Sequence, residues 1–201
     1  MNCPFENLMI ITISGQPGSG KTSVAKIIAN KLGVPFYSVG GLRGKMAMDR
    51  GLTIDQLNAL GERDKTTDTV VDEYQKELGQ KEKDFVIEGR LSWHFIPQSF
   101  KVFLDCNPRE AARRIISSKD ERPDEKVPND LERAIKTIEA RIESDVRRYH
   151  DFYGLDYRDK SHYDLYLDAG ATKSPEETAE LVLARLNPAA KDASPAPSPS
   201  T

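Results

Sequence analysis

The chain has 201 residues, with 29 Lys and Arg against 32 Asp and Glu, a formal net charge of −3. That length allows one domain with a sizeable core, and the balanced charge argues against an extended nucleic-acid surface or an anionic-membrane surface, though not against local basic pockets. No apolar run approaches the roughly 18 residues of a membrane span, and the segment "MNCPFENLMIITIS" lacks the basic region and cleavage site of a signal peptide.

In chain order, Leu8–Ser14 is a short apolar, β-branched run that reads as a buried strand. A helix is expected from about Lys21 to Leu32, with Val24, Ile27, Ile28 and Leu32 on one side and Gly33 as its stop. Val34–Val39 reads as a second strand. Gly40–Gly61 carries two short helical patterns, the second opening on a capping box from Thr53 to Gln56. Asp64–Lys83 reads as a longer helix with Val70, Val71, Tyr74 and Leu78 on one face. Strands follow at Asp84–Glu88 and Phe100–Asp105, then a helix at about Arg109–Ser118. The polar, proline-broken "SKDERPDEKVPND" is expected to be a mobile loop. Leu131–Tyr153 is the clearest helix, with Leu131, Ile135, Ile138, Ile142, Val146, Tyr149 and Tyr153 on one stripe and Gly154 at its end. A last strand at Tyr163–Asp168 precedes a helix opened by Ser174 as N-cap, Pro175 and Glu177.

Strands separated by helices imply an α/β fold with a mostly parallel sheet covered on both faces. The domain runs to about residue 187, and residues 188–201, rich in Pro and Ser, are expected to be a disordered tail. Cys3 and Cys106 are too far apart for a disulfide framework or a metal cluster, and His94, His150 and His162 lack ligand spacing. A reducing cytoplasm is the expected setting.

Between the first strand and helix, Gly15-x-x-x-x-Gly20-Lys21-Thr22 completes the P-loop pattern. The first N–H groups of a helix have no partners within it, and the helix dipole is positive there. Glycines let that backbone wrap closely, so its N–H groups converge on phosphate oxygens. Lys21 adds a point charge near the β- and γ-phosphates, and the Thr22 hydroxyl can ligate Mg²⁺. The loop therefore reads as a nucleoside triphosphate site.

A guanine-reading "NKxD" is absent, and the one "DxxG" string, Asp151–Gly154, falls at a helix end. A small kinase is the reading that remains, and it needs cations that gather round the transferred phosphoryl. On the long helix, turning about 100° per residue, Arg141, Asp145 and Arg148 fall together on one flank of the apolar stripe. Arg133, Lys136 and Arg147 face the opposite side. The trio can reach a cleft or form a surface ion-pair ladder; spacing alone leaves both open. "VIEGRLSWH" ends a buried strand with Glu88, a carboxylate able to order Mg²⁺-bound water or the acceptor. Gly89 then allows close approach, and Arg90 projects over the sheet edge where ligands bind in such folds.

"ITISGQPGSGKTSVAKIIANKLG", "VIEGRLSW", "FLDCNPREAARRI" and "ARIESDVRRYHDFYGLDY" together resemble the cytidylate kinases, in the short form best known from archaea. The resemblance runs from Met9 to Leu186; its P-loop part is shared with all nucleoside monophosphate kinases, whereas "EGRL" before Trp93 and the run Arg141–Tyr149 are more specific. It implies a P-loop α/β/α core with a mostly parallel five-stranded sheet, an acceptor-binding helical segment at about 40–83 and a lid at about 117–130. It also implies phosphorylation of CMP or dCMP by ATP with Mg²⁺, in a monomer without nucleic-acid or membrane partners. Gly15, Gly18, Ser19, Gly20, Lys21, Thr22 and Ser23 would hold the ATP phosphates, and Arg114 would lie by the ATP base or phosphates. Mg²⁺ would lie by Thr22 and, through water, Glu88. Arg90 would grip the acceptor phosphate. Arg141 and Arg148 would clamp the phosphoryl in transit, with Asp145 orienting one of them. Ser38, Gly40, Arg43, Glu88 and Gly89 would line the acceptor site, with Asp68, Asp72 and Gln75 near its base.

In one place the chain departs from the family pattern. Where the family carries an arginine for the acceptor phosphate, "GGLRGK" has Gly44, with Arg43 one place early and Lys45 one place late. Another acceptor (AMP, UMP, shikimate or another small alcohol) and a non-catalytic nucleotide-binding protein therefore stay open as alternatives.

Overall fold

The structure is a computed structural model that describes residues 9–61, 66–118 and 128–186. Its elements are β1 (Ile10–Gly15), α1 (Lys21–Leu32), β2 (Phe36–Ser38), α2 (Val39–Asp49), α3 (Ile54–Gly61), α4 (Thr66–Lys81), β3 (Phe85–Glu88), α5 (Ser92–Phe95), β4 (Phe100–Asp105), α6 (Pro108–Ser117), α7 (Leu131–Tyr153), β5 (Leu165–Asp168) and α8 (Pro175–Leu186). The strands form one parallel sheet of order β2-β3-β1-β4-β5. Most of the expected lid and all of the expected tail lie outside the described residues.

Alternation along the strands builds two cores, because successive side chains leave opposite faces of a sheet. Ile11, Ile13, Val86, Val102 and Leu104 pack against Val24, Ala25 and Ile28 of α1 and Ala179 and Val182 of α8. On the other face, Ile10, Phe85 and Ile87 meet Val39, Val71, Leu78 and Ile96, and Phe103 joins Leu91, Trp93, Tyr149 and Tyr157. The register brings Ser38 beside Glu88 and Glu88 beside Ile13, so β1, β2 and β3 end side by side at the edge where the glycine loop begins.

Several boundaries differ from the sequence reading. β2 is shorter than Val34–Val39, because the Ser38 hydroxyl accepts from the Gly41 N–H (2.9 Å) and starts α2 at Val39. β3 begins at Phe85 and β5 at Leu165. The Thr53–Gln56 box forms reciprocally, with Gln56 Oε1 accepting from the Thr53 N–H (2.8 Å) and the Thr53 hydroxyl from the Gln56 N–H (3.3 Å). At α8, Ser174 caps the Glu177 N–H, but the Glu177 carboxylate reaches the Lys173 N–H rather than Ser174.

The face of α4 is the larger correction. Val70 is 60% exposed and Tyr74 38% exposed, whereas Thr67, Asp68, Val71, Gln75 and Leu78 are buried. Polar residues turn inward here because partners wait for them: Asp68 meets Arg43, and Gln75 accepts from the Ser92 hydroxyl (2.7 Å). Of the expected stripe Val71 and Leu78 are buried, and Val70 and Tyr74 are not, because the buried face is completed by polar residues.

All seven tyrosines hold their phenols above the ordinary value, chiefly through burial. For Tyr37, burial and then the Glu82 carboxylate push it up to about 12. An unfolded phenol loses its proton near pH 10, and burial moves each folded one above that. Their contribution to stability is therefore full below about pH 10 and is lost as pH rises through the folded values. In an alkaline titration the phenolate absorbance of the buried and half-buried tyrosines, Tyr149, Tyr157 and Tyr163 among them, is expected to rise together with loss of circular dichroism; most of the phenolates appearing with the fold intact near pH 10 would contradict this.

Candidate active site

The glycine loop takes a shape that other residues resist. Gly15 has φ 148°, and a Cβ there would lie 2.1 Å from the Leu104 carbonyl oxygen. At Gly18, with φ 74°, a Cβ would strike Ala111 at the start of α6. Gly20 caps α1 in the left-handed region with no side-chain hydrogen bond, and no acidic residue stands in the first turn. The leading N–H groups of α1 are thus left to a ligand. Lys21 is buried and donates to the Gln16 carbonyl (2.7 Å), which lays its ammonium along the loop. The Ser19 hydroxyl is buried without a hydrogen-bond partner. An anion with several oxygens fits this cradle.

Above the loop lies a cleft of about 500 Å³. Six basic side chains line it, namely Lys21, Lys26, Arg43, Arg90, Arg141 and Arg148, against two carboxylates, Glu88 and Asp145. A chain of net charge −3 thus carries a hollow with an excess of basic groups, even after Asp68 and Asp55 pair with Arg43 and Arg141 from behind, which favours anionic ligands.

One carboxylate organises the arginines. Asp145 Oδ2 accepts from Arg90 Nε (2.9 Å) and its Oδ1 from Arg148 Nη2 (2.9 Å). Arg90 Nη1 also donates to the Gly15 carbonyl (2.8 Å), so the cluster is tied to the glycine loop. Arg148 Nη2 meets the Tyr149 hydroxyl at 3.0 Å. Burial by itself would raise the Asp145 carboxyl, but Arg90 and Arg148 outweigh it and hold it below the usual carboxylate range. Burial works against the charge on Arg90, and the Asp145 carboxylate raises it nonetheless. Tyr149, Asp145 and Asp68 do the same for Arg148.

A second knot lies between α2, α3, α4 and α7. Arg43 pairs with Asp68, donates to Asn58 Oδ1 (3.0 Å) and is buried. Arg148 Nη1 donates to the same Asn58 oxygen (3.2 Å). Arg141 places Nε (3.1 Å) and Nη2 (2.7 Å) on Asp55 Oδ1. Arg43 Nε, Asp68 Oδ2 and Arg148 Nε are buried without hydrogen bonds, though the last two stand as an ion pair at 3.6 Å.

The structure brings together at the cleft Gly18, Gly20, Lys21, Thr22, Ser23, Ser38, Gly40, Arg43, Glu88, Gly89, Arg90, Arg141, Asp145 and Arg148. Gly15 and Ser19 sit in the loop beneath it. Glu88 is buried and accepts from the Ser38 hydroxyl. Four expected site residues fall elsewhere. Asp72 accepts from the Tyr153 hydroxyl and Gln75 bonds Ser92 and the Val71 carbonyl, and neither lines the cleft, because α4 turns them toward α7 and α5. Asp68 lies behind Arg43. Arg114 lies one turn along α6 from Ala111, held by Glu110 (3.0 Å) and the Ala169 carbonyl (2.9 Å), off the cleft wall. Asn58 and Asp55 were not singled out from sequence; their i, i+3 spacing on α3 is the one local signal they leave.

Among the described residues no group of three or more His, Cys, Asp or Glu could hold a metal ion. Exposed Thr22 and buried Glu88 are donors that suit a cation carried in with phosphates rather than a cage of protein ligands. No helix of the described residues is long and apolar enough to cross a membrane.

Comparison with known proteins places these features. Residues 10–171 match the cytidylate kinase-like family. A cytidylate kinase of Methanocella arvoryzae is 39% identical over 80% of this chain and 87% of its own length. That of Archaeoglobus fulgidus is 35% identical over 87% and 93%. Among solved structures, shikimate kinase from Acinetobacter baumannii, in complex with shikimate, has a TM-score of 0.58 at 19% identity over 94% of this chain and 98% of its own. That likeness is of fold. A match over most of the chain, on the fold of P-loop kinases, makes this protein an enzyme of the cytidylate kinase-like family.

Proposed function

We propose that the enzyme transfers the γ-phosphoryl of ATP to CMP or dCMP. The observation that carries the reading is the convergence of Lys21, Arg90, Arg141 and Arg148, from three separate elements, on one cleft above an uncapped helix N-terminus. The relatives named cytidylate kinase support the choice of acceptor.

In this reading the α1 amides and Lys21 hold the triphosphate, with Gly15, Gly18, Ser19, Gly20, Thr22 and Ser23 shaping the cradle. Arg90, beside Glu88, Ser38 and Gly40, holds the acceptor phosphate. An acceptor phosphate oxygen forms the new bond to the γ-phosphorus, and the bond from that phosphorus to the bridging oxygen breaks, with ADP leaving with the electron pair. The attacking oxygen is already ionised, so no side chain has to take a proton. Catalysis comes from positioning and from charge neutralisation by Arg90, Arg141 and Arg148. Asp145 orients Arg90 and Arg148 rather than touching the phosphoryl. Mg²⁺ at Thr22, with Glu88 through water, would offset phosphate charge. Arg43 takes the place of the family arginine that Gly44 lacks, since it is buried at the cleft while Lys45 is exposed. We read the enzyme as a cytoplasmic monomer.

A panel of acceptors in a coupled ADP-release assay tests this directly. CMP and dCMP are expected to accelerate ADP release well above AMP, UMP and shikimate. Preference for shikimate or another alcohol would move the enzyme to the neighbouring class, and ATP binding without any acceptor effect would make it a non-catalytic nucleotide binder.

Arg141→Ala is the cleaner test of the clamp, because its partner Asp55 is 42% exposed and is not left as a buried lone charge. Turnover is expected to fall by about 10²–10³-fold with ATP affinity changed far less; a change of only a few fold would remove Arg141 from the transition state. Arg43→Ala is expected to raise KM for the acceptor by about tenfold or more, as for a lost charge-assisted hydrogen bond. Lys45→Ala is expected to leave it unchanged, and the reverse pattern would transfer the role to Lys45.

A further inference from the structure

The short helix α3 touches three of the four cleft arginines. Asp55 Oδ1 takes both Nε and Nη2 of Arg141. One turn on, Asn58 Oδ1 takes one N–H from Arg43 and one from Arg148. The orientation of the Asn58 amide is fixed by chemistry, since only its oxygen can face two guanidinium donors. The two contacts are not alike. Asn58 is neutral and holds its arginines in register without cancelling charge. Asp55 is a carboxylate, and it grips Arg141 through the N–H groups that a phosphate oxygen would use.

We infer that Asp55 is a positioning residue that competes with the transferable phosphoryl for Arg141, so that the clamp is completed only when α3 shifts. The inference rests on the reading of the site as an ATP-dependent kinase. α3 belongs to the same helical stretch as Arg43, the residue assigned to the acceptor phosphate, and Asn58 bonds Arg43 directly. An acceptor that draws Arg43 toward its phosphate pulls on Asn58, and through α3 on Asp55. Arg141 is then released to the phosphoryl at the moment an acceptor is present. The gain is selectivity between nucleophiles. A guanidinium stabilises the charge of the phosphoryl in transit whether the attacking group is an acceptor oxygen or water. An Arg141 held by Asp55 disfavours attack by water on ATP alone.

The arrangement also fits the exposures. Arg141 is 14% exposed and Asp55 42%, so the pair can separate without stranding a buried charge. The pair between Asp145 and Arg148 is far more buried and is suited to stay closed throughout.

The test is acceptor-free ATP hydrolysis at saturating ATP by the full chain, followed as ADP release, in wild type, Asp55→Asn, Asp55→Ala and Asp55→Glu. Loss of the carboxylate is expected to raise the acceptor-free rate about two- to fivefold, the equivalent of a partly exposed ion pair. The rate with saturating acceptor is expected to stay within twofold, and Asp55→Glu to restore the low background. Thermal melting of each variant accompanies the assay. A folded Asp55→Asn and Asp55→Ala with unchanged background hydrolysis would overturn the inference, as would a loss of acceptor-dependent turnover equal to that of Arg141→Ala. Failure here and failure of the proposed function are separable. The background rate is read without any acceptor, whereas the cytidylate reading fails if CMP does not accelerate ADP release in wild type.

Discussion

The site depends on a single buried carboxylate shared by two guanidiniums. Asp145 stands 4% exposed on α7 and spends one oxygen on Arg90, from the end of β3, and the other on Arg148, one turn along its own helix. Burying three charges is costly, and an ion pair of this kind is weak evidence for stability. Its value lies in geometry. Arg90 is fixed between Asp145 and the Gly15 carbonyl, so the sheet edge, the glycine loop and the long helix are held at one spacing by groups that also face the cleft. Removing either partner would leave a charge buried without its counterpart, at a cost of about 3–5 kcal/mol.

From that constraint the rest follows in layers. The parallel sheet sets β1, β2 and β3 in register, which brings the start of the glycine loop, Ser38 and Glu88 to one edge. Glycine at 15 and 18 lets the loop press against Leu104 and Ala111, where a side chain has no room. The helical stretch from α2 to α4 then closes one wall, joined to α7 through Arg43, Asp68 and Asn58. Buried guanidinium atoms without hydrogen bonds, Arg43 Nε and Arg148 Nε, sit in this wall, the second within ion-pair distance of Asp68 (3.6 Å).

Much of this was legible in the amino-acid order. The P-loop is a local motif, and the capping residues and apolar stripe of α7 set its bounds at Leu131–Tyr153 as read. Arg141, Asp145 and Arg148 fell on one flank by helical arithmetic because they share a helix. Contacts between elements were not legible in that way. Asp55 and Asn58 gain their meaning only once α3 lies against α7, and nothing in their own neighbourhood shows which arginines they meet. The inward face of α4 was legible only in part, through Val71 and Leu78: Asp68 and Gln75 are polar, and their burial is favourable only because Arg43 and Ser92 lie opposite. The Gly44 departure was visible, but which neighbour faces the cleft depended on how α2 turns; Arg43 does and Lys45 does not.

The central claim is that one set of arginines meets both ends of the phosphoryl path. It is tested most directly with a bisubstrate analogue in which adenosine and cytidine are joined through a chain of phosphates, measured by titration calorimetry on wild type. A shared site predicts binding far tighter than either ATP or CMP alone, with one analogue per chain and simultaneous exclusion of both nucleotides. An affinity no better than that of ATP, with CMP still able to bind beside it, would contradict the account.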